Sequence, residues 1–163
     1  MTPAFHPHSP VSGMRLELND LSATTRLAER LAGLVARGDL ICLWGDLGAG
    51  KTTLARALLH ALGVHEDVPS PTFTLVQTYQ AGDLAIWHFD LYRLIGPAEV
   101  EELGWDDARA DGLCLVEWPD RLGPLAGPDR LDLHLSLRGD GVRQADLAPH
   151  GTWVARLAGW TAR

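Results

Sequence analysis

Lysine is nearly absent from this chain: Lys51 is the only one, against thirteen arginines. Cysteine is scarce too. Cys42 and Cys114 each sit inside an apolar run and form neither a spaced metal motif nor a disulfide framework, so they read as buried small hydrophobes in a reducing cytoplasm. No apolar run approaches the roughly 20 residues of a membrane helix. Clustered basic charge is missing as well. The formal net charge of −7 argues against a chain that grips nucleic acid by itself, because phosphate binding wants grouped Lys and Arg. An acidic chain can still serve nucleic-acid chemistry through a partner. The opening MTPAFHPHSPVSG lacks the basic start and apolar middle of a secretory signal. It reads as a flexible N-terminal arm over residues 1–13, and Met14 is a second candidate start. His6 and His8 could bind metal there, although an unstructured tail accounts for them better.

What remains is ordinary for a globular protein: 163 residues, 46% hydrophobic and 21% charged, enough for one core and hence one domain over residues 14–163. MRLEL alternates as a short strand. Leu27, Leu31, Leu34 and Val35 recur at helical spacing, with Ser22 as the expected cap and Gly38 as the stop. DLICLW suits a buried strand, and KTTLARALLHALG suits a helix ending at Gly63. TFTLVQTY and LAIWHFDLY read as strands of a hairpin joined by QAGD. PAEVEELG is a helical stretch with Pro97 at its first position and Gly104 as its stop. LCLVEW is a second buried strand. LDLHLSL alternates with four leucines on one face, VRQADLA pairs back on it, and GTWVARLAGW closes the chain as a short helix.

The single lysine stands in GDLGAGKTT, which contains G-x-x-x-x-G-K-T from Gly45 to Thr52. A loop of this length between a strand and a helix curls its backbone N–H groups around phosphates. Gly45, Gly48 and Gly50 allow left-handed angles and close approach, so Asp46, Leu47 and Ala49 present amides as well as side chains. The helix that follows aims its positive end at the same anion. A thin ammonium, unlike a broad guanidinium, fits between the loop and the β- and γ-phosphates. Thr52 offers a hydroxyl to Mg²⁺, and Thr53 is placed for an α-phosphate. The expected ligand is a nucleoside triphosphate. Guanine-specific hydrolases commonly carry N/T-K-x-D, which a chain with one asparagine (Asn19) and one committed lysine cannot supply, so ATP is favoured by elimination.

Such a site needs an acidic residue at the end of a neighbouring buried strand. Glu117 ends LCLVE and is the expected second magnesium ligand; alone it would read as an ordinary strand-end carboxylate. Asp90 in WHFDLYR could reach the phosphates or the attacking water, or be a structural aspartate. His88 reads as a packed histidine rather than a base, and Arg93 as a surface ion-pair partner rather than a charge stabiliser. Thr72 in PSPTFTL could sense a γ-phosphate, or stand in a stiff loop between Pro71 and a strand. Trp118 could cover the site or belong to the core.

Taken together and in this order, GDLGAGKTT, SPTFTLVQTY, HFDLYRL, EELGW and LVEWPDR resemble the TsaE (YjeE) family from about Leu21 to Arg121. The resemblance implies a bacterial ATPase that works with TsaB and TsaD to make threonylcarbamoyladenosine beside the anticodon of certain tRNAs, reaching tRNA only through that complex. By this resemblance Lys51 is the phosphate lysine, Thr52 and Glu117 hold magnesium, and Asp90 and Thr72 belong to functional segments. The expected fold is α/β, a P-loop NTPase-like three-layer sandwich whose mainly parallel central sheet carries antiparallel additions. Two other readings keep the same loop: a small-molecule kinase, with RLGPLAGPDR as its only lid candidate, and a nucleotide-binding regulatory module without meaningful hydrolysis.

Overall fold

Hydrophobic periodicity accounts for most of the elements. The computed structural model, which describes residues 13–160, has β1 (Met14–Leu18), α1 (Leu21–Ala32), β2 (Leu40–Trp44), α2 (Lys51–Leu62), β3 (Val76–Ala81) and β4 (Leu84–Asp90). Then come α3 (Pro97–Glu101), α4 (Trp105–Asp111), β5 (Gly112–Glu117), a 3₁₀ segment (Pro119–Ala126), β6 (Arg130–Leu137), β7 (Arg143–His150) and α5 (Trp153–Leu157). The arm expected over residues 1–13, with His6 and His8, lies outside the described residues except for Gly13. No helix of the described residues is long and apolar enough to cross a membrane.

The seven strands form one sheet in the order β1-β7-β6-β2-β5-β4-β3. Its centre, β6-β2-β5-β4, is parallel; β3 pairs antiparallel with β4 on one edge, and on the other β7 pairs antiparallel with both β6 and β1. Helices cover both faces. On one, Leu27 and Leu31 of α1, Leu54 and Leu58 of α2 and Trp153 of α5 meet Ile41, Leu43, Leu113 and Leu115. On the other, Val100, Trp105 and Leu122 meet Leu40, Cys42, Phe89, Cys114 and Val116. β2 and β5 are therefore buried on both sides, which is why both read as unbroken apolar runs. Burial pushes the Cys114 thiol up to about 12 and the Cys42 thiol well above its usual range, so both stay protonated.

Several local expectations are corrected. The cap of α1 is Asp20, whose carboxylate accepts from the Ala23 N–H at 2.8 Å, and the helix stops at Gly33 rather than Gly38. Aspartate two residues earlier outcompetes Ser22 because Leu21 already begins the helix. Leu34 and Val35 pack on the core from the following turn. TFTL is a turn, not strand: the Leu75 N–H donates to Pro71 O at 2.7 Å, and β3 begins only at Val76. Gly104 does not merely end a helix. It sits in the left-handed region as the N-cap of α4, an element without a long apolar period to announce it. Of the four leucines of LDLHLSL, Leu137 is exposed.

Two polar clusters fasten the layers. Arg156 of α5 donates to both oxygens of the buried Asp39 at 2.6 and 2.8 Å and to Leu34 O at 3.2 Å, while Asp39 also accepts from the Ala36 N–H. On β6, Asp132 accepts from Trp44 Nε1 at 3.0 Å and pairs with Arg130 and with His150. His134 stacks on Trp44 with ring centroids 5.6 Å apart. Burial holds its pKa below the usual 6.5, opposed by the charges of Asp132 and Asp146 and reinforced by His150.

Arg156→Ala strands the Asp39 carboxylate without its cation. It is expected to lower stability by about 2–3 kcal/mol in denaturant titrations, with Arg156→Lys recovering only part because an ammonium cannot bond both oxygens in parallel. The His134 shift has a defined sign. Its folded-state pKa lies below the unfolded one, so as pH falls through 6.5 the unfolded chain takes up the proton first and stability is lost. His134→Phe, which keeps the stack on Trp44, should flatten that acid-side slope in stability-versus-pH curves relative to the unmutated chain.

Candidate functional site

Parallel pairing brings three strand ends level. Leu43 of β2 and Asp90 of β4 both lie opposite Glu117 of β5. The loop from Gly45 to Gly50 leaves β2 at this same edge and enters α2. Gly50 has φ 105° at the start of α2, and a Cβ on Gly45 (φ 148°) would stand 2.6 Å from the Leu135 carbonyl oxygen. Both positions therefore require glycine. No side chain caps α2, so its first N–H groups remain directed at the loop.

Lys51, the first residue of α2, is buried. Its ammonium donates to the carbonyls of Gly45 and, at 3.0 Å, Asp46, and lies 4.1 Å from the centre of the Trp118 ring. Burial lowers its pKa, and the negative charges of Glu117, Asp90, Asp46 and Asp120 oppose the shift. Trp118 reaches the lysine from a left-handed backbone (φ 57°) and packs on Tyr92. The loop lysine is thus held by neutral carbonyls and an aromatic face.

Thr52 Oγ1 donates to Glu117 Oε1 at 2.8 Å, and His88 Nε2 stands 2.7 Å from Glu117 Oε2. Thr72 Oγ1 donates to Asp90 Oδ2 at 3.1 Å and lies 2.7 Å from Ser70 Oγ, while Asp90 Oδ1 accepts from the Tyr92 N–H. Asp90 thereby joins the end of β4 to the turn that begins at Pro71. The hydroxyl and carboxylate of Thr52 and Glu117 are hard oxygen donors. No group of three or more His, Cys, Asp or Glu placed to hold a metal occurs among the described residues. That donor set suits Mg²⁺, which keeps waters and phosphate oxygens in most of its positions.

These residues surround a cleft of about 310 Å³, lined by Leu47, Gly48, Gly50, Lys51, Thr52, Thr53, Ser70, Thr72, Asp90, Glu117, Trp118 and Arg143. A second cavity of about 230 Å³ shares Gly50, Thr53 and Arg143 with it and continues to Asn19, Asp20, Thr24 and Ala49. Of the residues expected here from the sequence, Gly45 and Asp46 touch the site through their carbonyls to Lys51 rather than through the cleft wall. Arg143 was not expected; only the pairing of β7 with β1 and β6 delivers it beside Gly50. His88 is packed, as its apolar surroundings suggest, but is also bonded to Glu117. Arg93 lies 4.4 Å over the exposed Phe73 ring. The lid candidate RLGPLAGPDR is fastened down: Leu122 and Ala126 are buried, Arg130 pairs with Asp132, and Arg121 pairs with Asp120.

Known proteins similar to this chain agree with one another. The family model described as "Threonylcarbamoyl adenosine biosynthesis protein TsaE" matches residues 18–145. The tRNA threonylcarbamoyladenosine biosynthesis protein TsaE of Rickettsia felis is 39% identical over 129 residues, covering 78% of this chain and 75% of that protein. The protein of the same name from Bacillus subtilis is 38% identical over 122 residues, covering 74% and 76%. The crystal structure of Bacillus subtilis YdiB superposes with a TM-score of 0.75 at 28% identity over 93% of this chain and 94% of that one. On the match over residues 18–145, the glycine loop and the Glu117 and Asp90 strand ends included, this chain belongs to the TsaE family of threonylcarbamoyladenosine biosynthesis proteins.

Proposed function

We propose that this chain binds ATP with Mg²⁺ in the cleft above β2, β5 and β4 and hydrolyses it to support turnover of a TsaB–TsaD complex that modifies tRNA. The observation that carries this reading is the Thr52–Glu117 hydrogen bond of 2.8 Å at the foot of a glycine loop whose lysine is buried beside it. A hydroxyl and a carboxylate brought together across 65 residues, at the positive end of a helix, make a place for a cation bound to an anion.

The N–H groups of the loop and of the first turn of α2 hold the phosphates. Lys51 turns from the Gly45 and Asp46 carbonyls onto the β- and γ-oxygens. Thr52 and Glu117 would hold magnesium, which would supply neutralisation of the charge that builds on the transferring group. Asp90 is assigned to the attacking water, because its Thr72 contact belongs to the turn that lines the cleft and can rearrange when a γ-phosphate enters. Trp118 keeps water off Lys51. The base takes the second cavity, on the far side of Gly50, Thr53 and Arg143. Catalysis by this set is positioning and fixed charge, with no covalent intermediate on the protein.

Support for a partner comes from the rim. Leu47, Phe73 and Ile95 are apolar and exposed, and the first two sit on the loop and the turn that bound the cleft. We read Leu47 and Phe73, exposed beside the cleft, as part of the surface that a partner covers. The net charge of −7 suits a subunit that reaches tRNA through its partners. The kinase alternative is disfavoured because Leu122 and Ala126 of RLGPLAGPDR are buried and Arg130 pairs with the buried Asp132, which anchors the lid candidate to the core.

Lys51→Ala should reduce ATP turnover measured by phosphate release with TsaB and TsaD present by about 100-fold or more, while circular dichroism shows the fold retained. Turnover that survives the substitution would rule out the proposed site.

A further inference from the structure

His88 is fully buried on β4, opposite Leu115 of β5, and it reaches the cleft only through Glu117. The two oxygens of that carboxylate have separate partners. Oε1 accepts from Thr52 at 2.8 Å, and Oε2 faces His88 Nε2 at 2.7 Å. His88 Nδ1 is buried without a hydrogen-bond partner. This asymmetry selects the tautomer. With its proton on Nε2, the ring donates to Glu117 and leaves only a lone pair at Nδ1. With the proton on Nδ1, two lone pairs would face each other at 2.7 Å and a buried N–H would have no acceptor, which is the costlier arrangement.

Glutamate has three rotatable side-chain bonds, and a nearly buried carboxylate with one oxygen unpaired would turn to find a donor. Removing the imidazole therefore frees the oxygen pair that points at Thr52. We propose that His88 is a positioning residue for magnesium: its Nε2–H fixes the Glu117 carboxylate in the orientation that presents Oε1 beside the Thr52 hydroxyl, and so sets the magnesium affinity of the nucleotide site. The inference rests on the proposed ATP–magnesium reading and deepens it. Histidine acts here on a carboxylate ligand from behind, the kind of supporting contact whose loss costs ~10- to 100-fold in metal affinity.

The test is calorimetric binding of a non-hydrolysable ATP analogue to the full chain, in EDTA and across a series of magnesium concentrations. His88→Leu removes the donor. His88→Asn keeps an amide of similar polarity but places it too short to reach Glu117, and His88→Gln puts an amide nitrogen close to the position of Nε2. The expected result is a magnesium midpoint raised by ~10- to 100-fold in the leucine and asparagine variants, near-normal in the glutamine variant, with affinity in EDTA unchanged in all three. Leucine and asparagine variants with the unmutated midpoint would overturn the proposal. A glutamine variant that falls as far as leucine, or an equal loss in EDTA, would overturn it too, by showing that the ring is structural only. Absence of any magnesium-dependent gain in the unmutated chain would instead overturn the functional reading beneath it.

Discussion

Glu117 lies opposite Leu43 on one side and Asp90 on the other because β5 pairs in parallel with both β2 and β4. Antiparallel neighbours would send those strand ends to opposite edges of the sheet. Parallel ones bring a glycine loop, two carboxylates and a buried histidine to one edge, where the positive end of α2 also points. Burial of β2 and β5 on both faces then makes their register hard to slip, since each inward side chain has its own place in one of the two cores. The positions of the strand ends at that edge are fixed by the packing of the strands below them.

That edge concentrates charge in a place that disfavours it. Lys51, Asp90 and Glu117 are all buried, and His88 is completely so. Each charged group is bonded, but to partners that only partly compensate: the lysine to neutral carbonyls and a tryptophan face, the glutamate to a hydroxyl and an imidazole. Trp118 adds a left-handed non-glycine backbone, which costs on the order of 1 kcal/mol or more. A left-handed tryptophan and buried charges held partly by neutral partners are collected at one edge of a sheet otherwise packed with apolar side chains, a local departure from the packing rules that marks a candidate site.

The sequence disclosed this edge unevenly. Gly45 to Thr52 was legible because its meaning is local: a strand, a glycine spacing and a helix follow one another without interruption. Glu117 was legible because an apolar run ends on it. The alliance of His88 with Glu117 was not, since it spans 29 residues and depends on the pairing of β4 with β5. Arg143 was hidden for the same reason, arriving beside Gly50 through an antiparallel return that no local pattern specifies. At the local level the misses came from competition between near-equal signals. Asp20 and Ser22 both cap well, and PTFTL has strand composition but closes into a turn through the Pro71–Leu75 hydrogen bond.

The hydrogen bonds within the cleft bear on the proposed dependence of ATP hydrolysis on a partner. For ATP to bind as proposed, Lys51 must leave the Gly45 and Asp46 carbonyls, and for Asp90 to address water its bond to Thr72 must loosen. Each exchange subtracts from the free energy of binding, so the apparent affinity and rate fall by the fraction of molecules already rearranged. On the proposed reading a partner seated on Leu47 and Phe73 would act on both exchanges at once, because Leu47 belongs to the loop whose carbonyls hold the lysine and Phe73 follows Thr72 directly. Covering those side chains also removes water, which strengthens every remaining charge interaction inside. On the proposed reading the exposed apolar rim and the lysine bonded to its own loop act together: a partner that covers Leu47 and Phe73 would offset the hydrogen bonds that oppose ATP binding.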